Sequence, residues 1–309
     1  MSWPAWLIKP RLAVVLGGGA TAGAFEVGVI DVLARRGIVP DLLVGTSIGA
    51  VNAAFWAQNP DPKAGERLLE VWLRSNRSTM FPDGRLPMVG RLLRRKGHLT
   101  TQQGLDRLLR RTLPETATIE GSRVPLAIVA ADADHGRRVV LRTGRLIPAL
   151  LASSAIPGLW PPVEVGGQWL TDGGVVANCD LQAAVERGMT DVLVVDVMGE
   201  GLHRAAVDVG EVLERAIATL TRRQTELSVL AFGKAARIAV LRPILAARPR
   251  LGDFSLTLPL FKAGQEATEA FLAKHLGPRR SLRPGWFEPS SALAARPARP
   301  PADQRVISA

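Results

Sequence analysis

Short apolar runs alternate along the chain with longer segments in which apolar residues recur at helical spacing. The runs predict strands at residues 11–16, 42–44, 126–131, 137–141, 168–170, 192–197 and 237–241. The longer segments predict helices at residues 23–36, 47–58, 62–74, 145–154, 180–187 and 209–232, with Asp61 as the N-cap of the third. Strands that alternate with helices predict an α/β fold with a mostly parallel central sheet.

The domain organisation follows from length and local composition. A chain of 309 residues can bury one sizeable core, so we expect a single domain over residues 11–276. Residues 1–10 form an N-terminal extension without the pattern of a secretory signal. Residues 75–115 carry prolines, glycines and basic residues, and we expect an insertion over the sheet, a candidate lid. The Arg-, Pro- and Ala-rich composition of residues 277–309 predicts a disordered basic tail.

Charge is distributed unevenly along the sequence. The formal net charge is +11, and residues 85–111 contain eight Arg or Lys side chains against Asp106 alone. Interleaved leucines make this segment suitable for an anionic membrane surface, for nucleic acid phosphates or for an ordinary solvated helical hairpin. Among partners, we expect peripheral contact with an anionic membrane through residues 85–111 and no specific nucleic acid.

Cysteine use and uncharged stretches bear on location. Cys179 is the single cysteine, which excludes an internal disulfide framework and fits a reducing, cytoplasmic compartment. The uncharged stretches at residues 42–60 and 146–163 are interrupted by polar residues or prolines and are predicted to be core segments, not membrane spans.

Asp132 and Asp134 lack further ligands nearby, so we interpret them as a turn and expect no metal site.

A serine between two glycines follows the second predicted strand. The run Gly45-Thr46-Ser47-Ile48-Gly49 is typical of a nucleophile elbow, where a strand turns sharply into a helix and exposes the serine hydroxyl. A side chain two residues before or after the serine would clash in so tight a turn. The helix N-terminus beside Ser47 also favours developing negative charge. The pattern therefore predicts a serine hydrolase with Ser47 as its nucleophile.

A glycine-rich loop at residues 17–23 follows the first predicted strand. Glycines let backbone N–H groups point into a site without obstruction by Cβ, and such donors hold the oxyanion of a tetrahedral intermediate. A dinucleotide-binding loop is the rival interpretation, because Gly17, Gly19 and Ala22 match the G-x-G-x-x-A pattern. The acidic residue that this rival needs should end the second strand, whereas Asp41 begins it. The loop alone does not decide between the two interpretations.

The serine needs a base, and the chain offers histidines and an aspartate. The order Ser, Asp, His along the chain leaves His203 and His275 as candidates for a triad, but neither lies in a motif and we interpret both as surface residues. Asp172 ends a predicted strand and is followed by Gly173 and Gly174. An aspartate at that position faces the edge where α/β sheets bind ligands, although the tripeptide alone is also a common turn.

These three segments, in this order, resemble the patatin-like phospholipases over residues 11–276. GTSIGAVNAAF resembles the nucleophile elbow of that family, and the glycine loop resembles its oxyanion loop. SSAIPGLWPPV followed by Asp172-Gly173-Gly174 resembles the approach to its catalytic aspartate. Residues 253–255 with Gly264 fit its C-terminal helical region less specifically.

The resemblance implies a three-layer α/β/α fold of the patatin type and a Ser-Asp dyad without histidine. Ser47 would attack a lipid ester, and Asp172 would take its proton and later activate water. The N–H groups of Gly18, Gly19 and Ala20 would hold the oxyanion. No cofactor is implied, and phospholipid, lysophospholipid, neutral glyceride and thioester substrates all fit. The supporting motif glycines are Gly17, Gly23, Gly45, Gly49, Gly173 and Gly174.

The chain departs from the family pattern at two positions of the loop. Ala20 stands where a fourth glycine is usual, and alanine disfavours positive φ. Ala22 stands where the family usually carries Arg or Lys. The missing cation motivates one alternative, a catalytically weak patatin-like protein that binds membranes. The other alternative is a dinucleotide-binding oxidoreductase, which would leave Asp172 and the elbow unused.

Overall fold

The computed structural model describes residues 10–82, 97–198, 209–245, 249–278 and 281–291. Its helices are α1 (Ala24–Arg35), α2 (Ile48–Gln58), α3 (Ala64–Arg74), α4 (Arg77–Met80), α5 (Gln103–Thr112), α6 (Leu146–Ser153), α7 (Leu181–Glu186), α8 (Val209–Phe232) and α9 (Thr257–His275). Its strands are β1 (Leu12–Leu16), β2 (Leu42–Thr46), β3 (Leu126–Asp132), β4 (Arg138–Leu141), β5 (Val163–Val165), β6 (Gln168–Asp172), β7 (Asp191–Val195), β8 (Arg237–Leu241), β9 (Ile244–Leu245), β10 (Gly285–Phe287) and β11 (Ser290–Ser291). Every predicted strand and helix is present, with its ends within two residues of the prediction.

The start of α3 differs from the prediction. Lys63 occupies the N-cap position and α3 begins at Ala64, so the prediction that Asp61 caps this helix is wrong. The carboxylate of Asp61 instead accepts the N–H of Lys63 and forms an ion pair with Arg67 at 2.8 Å. Asp61 therefore forms a tight turn just before the helix. Asp is common both in such turns and at N-cap positions, because in each its side chain accepts a hydrogen bond from a nearby backbone N–H.

The central sheet runs in the order β10-β8-β7-β1-β2-β3-β6-β5, with β4 paired to the other side of β3. The six strands from β10 to β3 are mutually parallel, and β4, β5 and β6 add antiparallel pairs. The order places β1 and β2, the strands that lead into the glycine loop and the elbow, side by side in the middle of the sheet.

Strands β2 and β6 meet end to end along one side of β3. Thr46, the last residue of β2, is opposite Val129, while Asp172, the last residue of β6, is opposite Ala130. Because β4 occupies the other side of β3 over the same residues, β2 and β6 must share one side. They run towards each other, so the residues that end them are adjacent.

Two layers of helices cover the sheet, one on each face. Val14 and Leu16 of β1 pack in a core with α1, α2 and α9, whereas Ala13 and Val15 pack in a second core with α7. In the thicker layer α1 and α9 cross so closely that a Cβ at Gly28 would lie 2.1 Å from the carbonyl oxygen of Phe261. The structure is thus a three-layer α/β/α fold with a mostly parallel sheet, as predicted.

The start of the predicted tail is ordered secondary structure. Strand β10 pairs in parallel with β8, and Leu282 is buried in the larger core. The prediction of disorder over residues 277–309 is therefore wrong for residues 281–291, because a strand 44 residues downstream of β8 completes that edge of the sheet. Residues 292–309 lie outside the described residues. No helix within the described ranges is long and apolar enough to span a membrane.

Candidate active site

The turn from β2 into α2 has the geometry of a nucleophile elbow. Ser47 has φ 55° and ψ −126° and occupies the N-cap position of α2. A Cβ at Gly45 would lie 2.4 Å from the Cα of Ala50, and one at Gly49 would lie 2.4 Å from the carbonyl oxygen of Leu16. Both glycines are thus required by close backbone contacts, as the sequence predicted. A non-glycine residue at positive φ is a strained backbone, which the surrounding structure must hold in place.

Ser47 and Asp172 form a direct hydrogen bond. The hydroxyl of Ser47 donates to Oδ2 of Asp172 at 2.6 Å, and the N–H of Gly174 donates to Oδ1 at 2.8 Å. Both side chains are buried. Burial raises the pKa of Asp172 to about 6, against the opposing effect of the hydrogen bonds from Ser47 and Gly174. A carboxylate with a pKa near 6 is suited to act as a base close to neutral pH.

The side chain of Ser153 accepts a hydrogen bond from the backbone of the elbow. The N–H of Ser47 donates to Oγ of Ser153 at 2.9 Å, and that hydroxyl donates to the carbonyl oxygen of Val129 at 2.6 Å. Ser153 ends α6 and is fully buried. Its position beside the nucleophile could not be deduced from the sequence, where a serine at a helix end indicates only a local cap.

The glycine loop lies against the nucleophile. A Cβ at Gly18 would lie 2.7 Å from Oδ1 of Asn178 and 3.1 Å from the Cβ of Ser47, so a larger residue would press on both side chains. The N–H of Gly17 donates to Val195, and the N–H of Gly18 donates to Oδ1 of Asn178 at 3.1 Å. The N–H of Gly18 therefore already has an acceptor within the protein, which favours Gly19 and Ala20 among the three predicted oxyanion donors. Within the described residues the N–H groups of Gly19 and Ala20 donate to no acceptor.

Asn178 was missed by the sequence interpretation. Its side chain also donates from Nδ2 to the carbonyl oxygen of Gly18 at 3.2 Å, so it pairs with both polar groups of that residue. It follows the turn Gly173–Val175, six residues beyond Asp172. An Asn shortly after the Asp-Gly-Gly segment is the one sequence signal that points to it.

The two alanines of the loop have different environments. Ala20 has φ 49°, so it adopts the left-handed conformation for which the family uses glycine. Ala20 and Ser47 are the two non-glycine residues with positive φ in the described chain. Ala22 is buried within the larger core and places no cation beside the loop.

A buried polar network supports the loop from α1 and α2. Nδ2 of Asn52 donates to the carbonyl oxygen of Gly23 at 3.1 Å and to Oε2 of Glu26 at 2.8 Å, and Trp72 donates to its Oδ1 at 3.0 Å. Glu26 is fully buried, and this burial raises its pKa well above the ordinary value. A Cβ at Gly23 would lie 2.8 Å from Ile48, so loop, elbow and network are in direct contact.

An apolar cavity opens beside the dyad. The space between its walls, with the open solvent at its mouth included, is about 740 Å³. Ser47 and Ala20 line its base, so the nucleophile and the loop face the same space. The apolar walls come from α2, α3, α5, the segment after α4 and the turn before α9, and include Val51, Phe55, Trp72, Phe81, Leu105 and Phe254.

The predicted alternatives to the dyad lie elsewhere. None of the three histidines in the described ranges contacts Ser47 or Asp172. His135 pairs with Asp132. His275 is buried, and its ring stacks on that of Phe271 with the two ring centroids 4.8 Å apart, so the expectation of a surface position for His275 is wrong. His203 lies outside the described residues. Asp41 accepts the N–H of Leu12 at the sheet edge opposite the glycine loop, which removes the acidic residue that a dinucleotide site requires.

The basic segment at residues 85–111 is described only in part. Residues 85–96, with five of its eight cations, lie outside the described residues. Arg110 on α5 forms ion pairs with Asp106 and Glu115. Membrane contact through this segment stays a prediction.

The fold and the site together define an α/β protein with an elbow serine hydrogen-bonded to a strand-end aspartate. A family model described as patatin-like phospholipase matches residues 14–185. The chain therefore belongs to the patatin-like phospholipase family, as its three motifs predicted.

Several curated relatives match more than half of the chain. Lysophospholipase NTE1 of Cryptococcus neoformans is 31% identical over 195 residues, covering 62% of this chain and 11% of that protein. An uncharacterized NTE family protein of Mycobacterium bovis is 32% identical over 198 residues, covering 57% and 49%. Patatin-like phospholipase domain-containing protein 6 of Mus musculus is 28% identical over 190 residues, covering 60% and 13%. The chain spans about a tenth of the fungal and mouse proteins and about half of the mycobacterial one.

Solved structures with a similar course of the backbone include VipD from Legionella pneumophila. Its TM-score is 0.42 at 12% sequence identity, and the match covers 90% of this chain and 72% of that chain. Human GIVD cytosolic phospholipase A2, in complex with a fluorophosphonate inhibitor, has a TM-score of 0.47 and 13% identity, with coverage of 86% and 59%.

Proposed function

We propose that this chain is a serine lipid acyl hydrolase of the phospholipase, lysophospholipase or esterase type, and hence a carboxylic ester hydrolase. The observation that carries the proposal is the 2.6 Å hydrogen bond from Ser47 Oγ to Asp172 Oδ2 at the base of an apolar cavity. Membership of the patatin-like phospholipase family and the name of the fungal relative support a lipid ester as substrate.

In the first half of the proposed reaction, Oγ of Ser47 attacks the ester carbonyl carbon while Asp172 accepts the hydroxyl proton. The carbonyl oxygen becomes an oxyanion, and the N–H groups of Gly19 and Ala20 are the donors available to it. The N-terminus of α2 adds a favourable dipole. The alcohol then leaves with the proton held by Asp172, and Ser47 carries the acyl group.

In the second half, water attacks the acyl-enzyme and Asp172 accepts its proton. The acid is released, and the proton on Asp172 returns to Ser47. The cavity suits the acyl chain, because its walls are almost entirely apolar side chains.

Segment 75–115 is proposed to cover the substrate. Its described parts contribute Met80, Phe81, Leu105 and Leu108 to the cavity wall. These contacts support the interpretation of the segment as a lid over the site.

The pH dependence of turnover follows from Asp172. The side chain must be ionised to accept a proton, so kcat/KM should rise with pH through about 6 and level off above it. The profile of a short-chain ester measured from pH 4 to pH 8 checks this. A flat profile across pH 6 would remove Asp172 as the base.

The reaction class is tested by covalent labelling with a fluorophosphonate probe. We expect the wild type to be labelled and Ser47→Ala to be unlabelled, with Ser122→Ala as a matched serine variant that stays labelled. A panel of phospholipid, lysophospholipid, glyceride and thioester substrates then identifies the substrate class. Labelling that persists in Ser47→Ala would overturn the proposal.

A second candidate is a membrane-binding protein with weak catalysis. The buried, uncharged Ala22 favours it, since the loop lacks the cation usual in the family. Lipid ester turnover no faster than that of Ser47→Ala, together with intact vesicle binding, would select this candidate.

A further inference from the structure

Helix α8 has an apolar face that the described residues do not cover. Six of its large apolar side chains are about half exposed or more: Val212, Leu213, Ile217, Leu220, Leu227 and Leu230. At about 100° per residue they span a sector of about 140°, and the buried Ala218, Thr221 and Thr225 lie on the opposite side. The rest of the described chain exposes only six other large apolar side chains, scattered over several elements. We call these six residues of the helix the α8 face.

The helix is longer than the sheet that supports it. Its 24 residues extend about 36 Å, whereas the five-residue strands β7 and β8 extend about 17 Å. Because α8 follows β7 and precedes β8, it begins at the edge of the sheet where the active site lies. Ala218 is its first buried residue, so the turns before it project beyond the sheet at that edge.

Hydrogen bonds connect α8 to segments beside the candidate active site. Gln224 donates to the carbonyl oxygen of Val175 at 3.2 Å, and its Oε1 accepts the N–H of Asn178 at 3.3 Å. Val175, in the turn after Asp172, is itself half exposed. Near the other end, the N–H of Leu251, which lines the cavity, donates to Glu214 at 3.5 Å. Through Gln224 and Glu214, α8 thus contacts the turn after Asp172 and a segment that lines the cavity.

We propose that the α8 face docks the protein on a lipid bilayer that contains anionic headgroups. The inference rests on the proposed function, since a lipid acyl hydrolase must reach substrate that is held in a bilayer. An amphipathic helix binds such a surface by burying its apolar side chains at the level of the headgroups. The face also carries a cation for a headgroup phosphate, because Arg223 lies within it and is 65% exposed, with Glu226 3.2 Å away.

The same arginine argues against a second copy of the chain as the occupant. Arg223 lies close to the middle of the stripe from Val212 to Leu230. A two-fold dimer centred on the face would bring two Arg223 side chains together inside an apolar interface, an unfavourable arrangement. Arg223 pairs with Glu226 at 3.2 Å, so the dimer would have to bury this ion pair in an apolar interface, and the desolvation of both charges is costly. At a bilayer, the arginine stem lies along the apolar layer and its guanidinium reaches phosphate.

The test measures vesicle binding separately from hydrolysis. Vesicles of ether-linked phosphatidylcholine and phosphatidylserine contain no acyl ester, so flotation with them reports docking alone. We expect Leu220→Glu to weaken binding by about tenfold or more, and Arg223→Gln to weaken it by about fivefold. Val39→Glu, at the opposite edge of the sheet and also about half exposed, is the matched control and should bind like the wild type. All variants should hydrolyse a water-soluble short-chain ester at the wild-type rate.

The outcomes separate docking from catalysis. If the wild type hydrolyses the soluble ester but does not float with the vesicles, or if Leu220→Glu floats normally, the docking proposal is overturned. A wild-type dimer that Leu220→Glu converts to monomers, without vesicle binding, would identify the face as a self-interface instead. Binding lost in Arg107→Gln/Arg111→Gln but kept in Leu220→Glu would move the contact to residues 85–111. Absence of hydrolysis with normal, Leu220-dependent flotation would refute the proposed function and leave docking intact.

Discussion

The elbow and the glycine loop lie side by side, and each contains a non-glycine residue at positive φ, yet they are held in different ways. Ser47 is fixed by side chains, with Ser153 at its N–H and Asp172 at its hydroxyl. The loop is fixed through Gly18, which pairs with Asn178, while the N–H of the strained Ala20 has no partner among the residues that the structure describes. In the proposed reaction the elbow positions the nucleophile, whereas the loop offers two backbone donors to charge that develops only during the reaction.

The largest expected effect is the loss of turnover when Asp172, the partner of the elbow serine, is replaced. Asp172→Asn keeps the acceptor for Gly174 but removes the base, so we expect turnover to fall by about a thousandfold or more. The same change should stabilise the fold at pH 7 by roughly 2–3 kcal/mol, because the wild-type carboxylate is ionised and buried there.

The size of this stability effect depends on pH. Since burial raises the pKa of Asp172 from 3.8 to about 6, the destabilisation is absent below pH 3.8, where the group is protonated in both states, and complete above pH 6. Urea unfolding of both proteins at pH 4 and pH 7 should show the gap between them only at the higher pH. Retained turnover, or a less stable variant at pH 7, would contradict the assignment.

The next largest effect is the fall in kcat when Asn178, which pairs with Gly18 of the glycine loop, is replaced. Asn178→Ala leaves the N–H and the carbonyl oxygen of Gly18 unpaired, and we expect kcat to fall by about 10- to 100-fold with a smaller change in KM. Gln58→Ala removes a comparable amide hydrogen bond, to Ser122, far from the site and should leave kcat unchanged. Equal effects of the two variants on kcat would show that Asn178 contributes only to stability.

A smaller effect loosens the elbow at Ser153. Ser153→Ala leaves the N–H of Ser47 without its acceptor, and we expect turnover to fall by about tenfold. The control is Thr268→Val, which removes another buried hydroxyl that donates to a backbone carbonyl at 2.6 Å. Both variants should lose about 1 kcal/mol of unfolding free energy, but only the first should lose activity. Full activity in Ser153→Ala would show that the elbow holds its geometry without this bond.

The smallest expected effect compares the two alanines of the loop. Ala20→Gly relieves a left-handed alanine worth about 1 kcal/mol but adds flexibility to the unfolded chain, so stability should change by less than about 1 kcal/mol. Ala22→Gly gains no such relief and opens space in the core, so it should be destabilising. Thermal unfolding of the pair measures the difference, and equal losses would show that Ala20 is not strained.

Local patterns in the sequence were sufficient for the elements and for the nucleophile. Helix 209–232 and strand 237–241 were predicted with the bounds that the structure has, because period and flanking residues mark them locally. The two glycines of the elbow also act within five residues, so their role was readable. Strand β10 was missed because its partner, β8, is 44 residues away and nothing local marks the pairing.

The sequence by itself determined the family, the α/β fold and the identities of Ser47 and Asp172 as candidates, since each depends on residues close together in the chain. Only the tertiary structure decided why the two meet. Asp172 reaches Ser47 because β6 runs antiparallel along β3 and ends where β2 ends, not because parallel strands share one edge. The roles of Asn178 and Ser153, and the occupied N–H of Gly18, were likewise decided by contacts between residues more than 100 positions apart. Such contacts depend on strand order and layer packing, which no local pattern encodes.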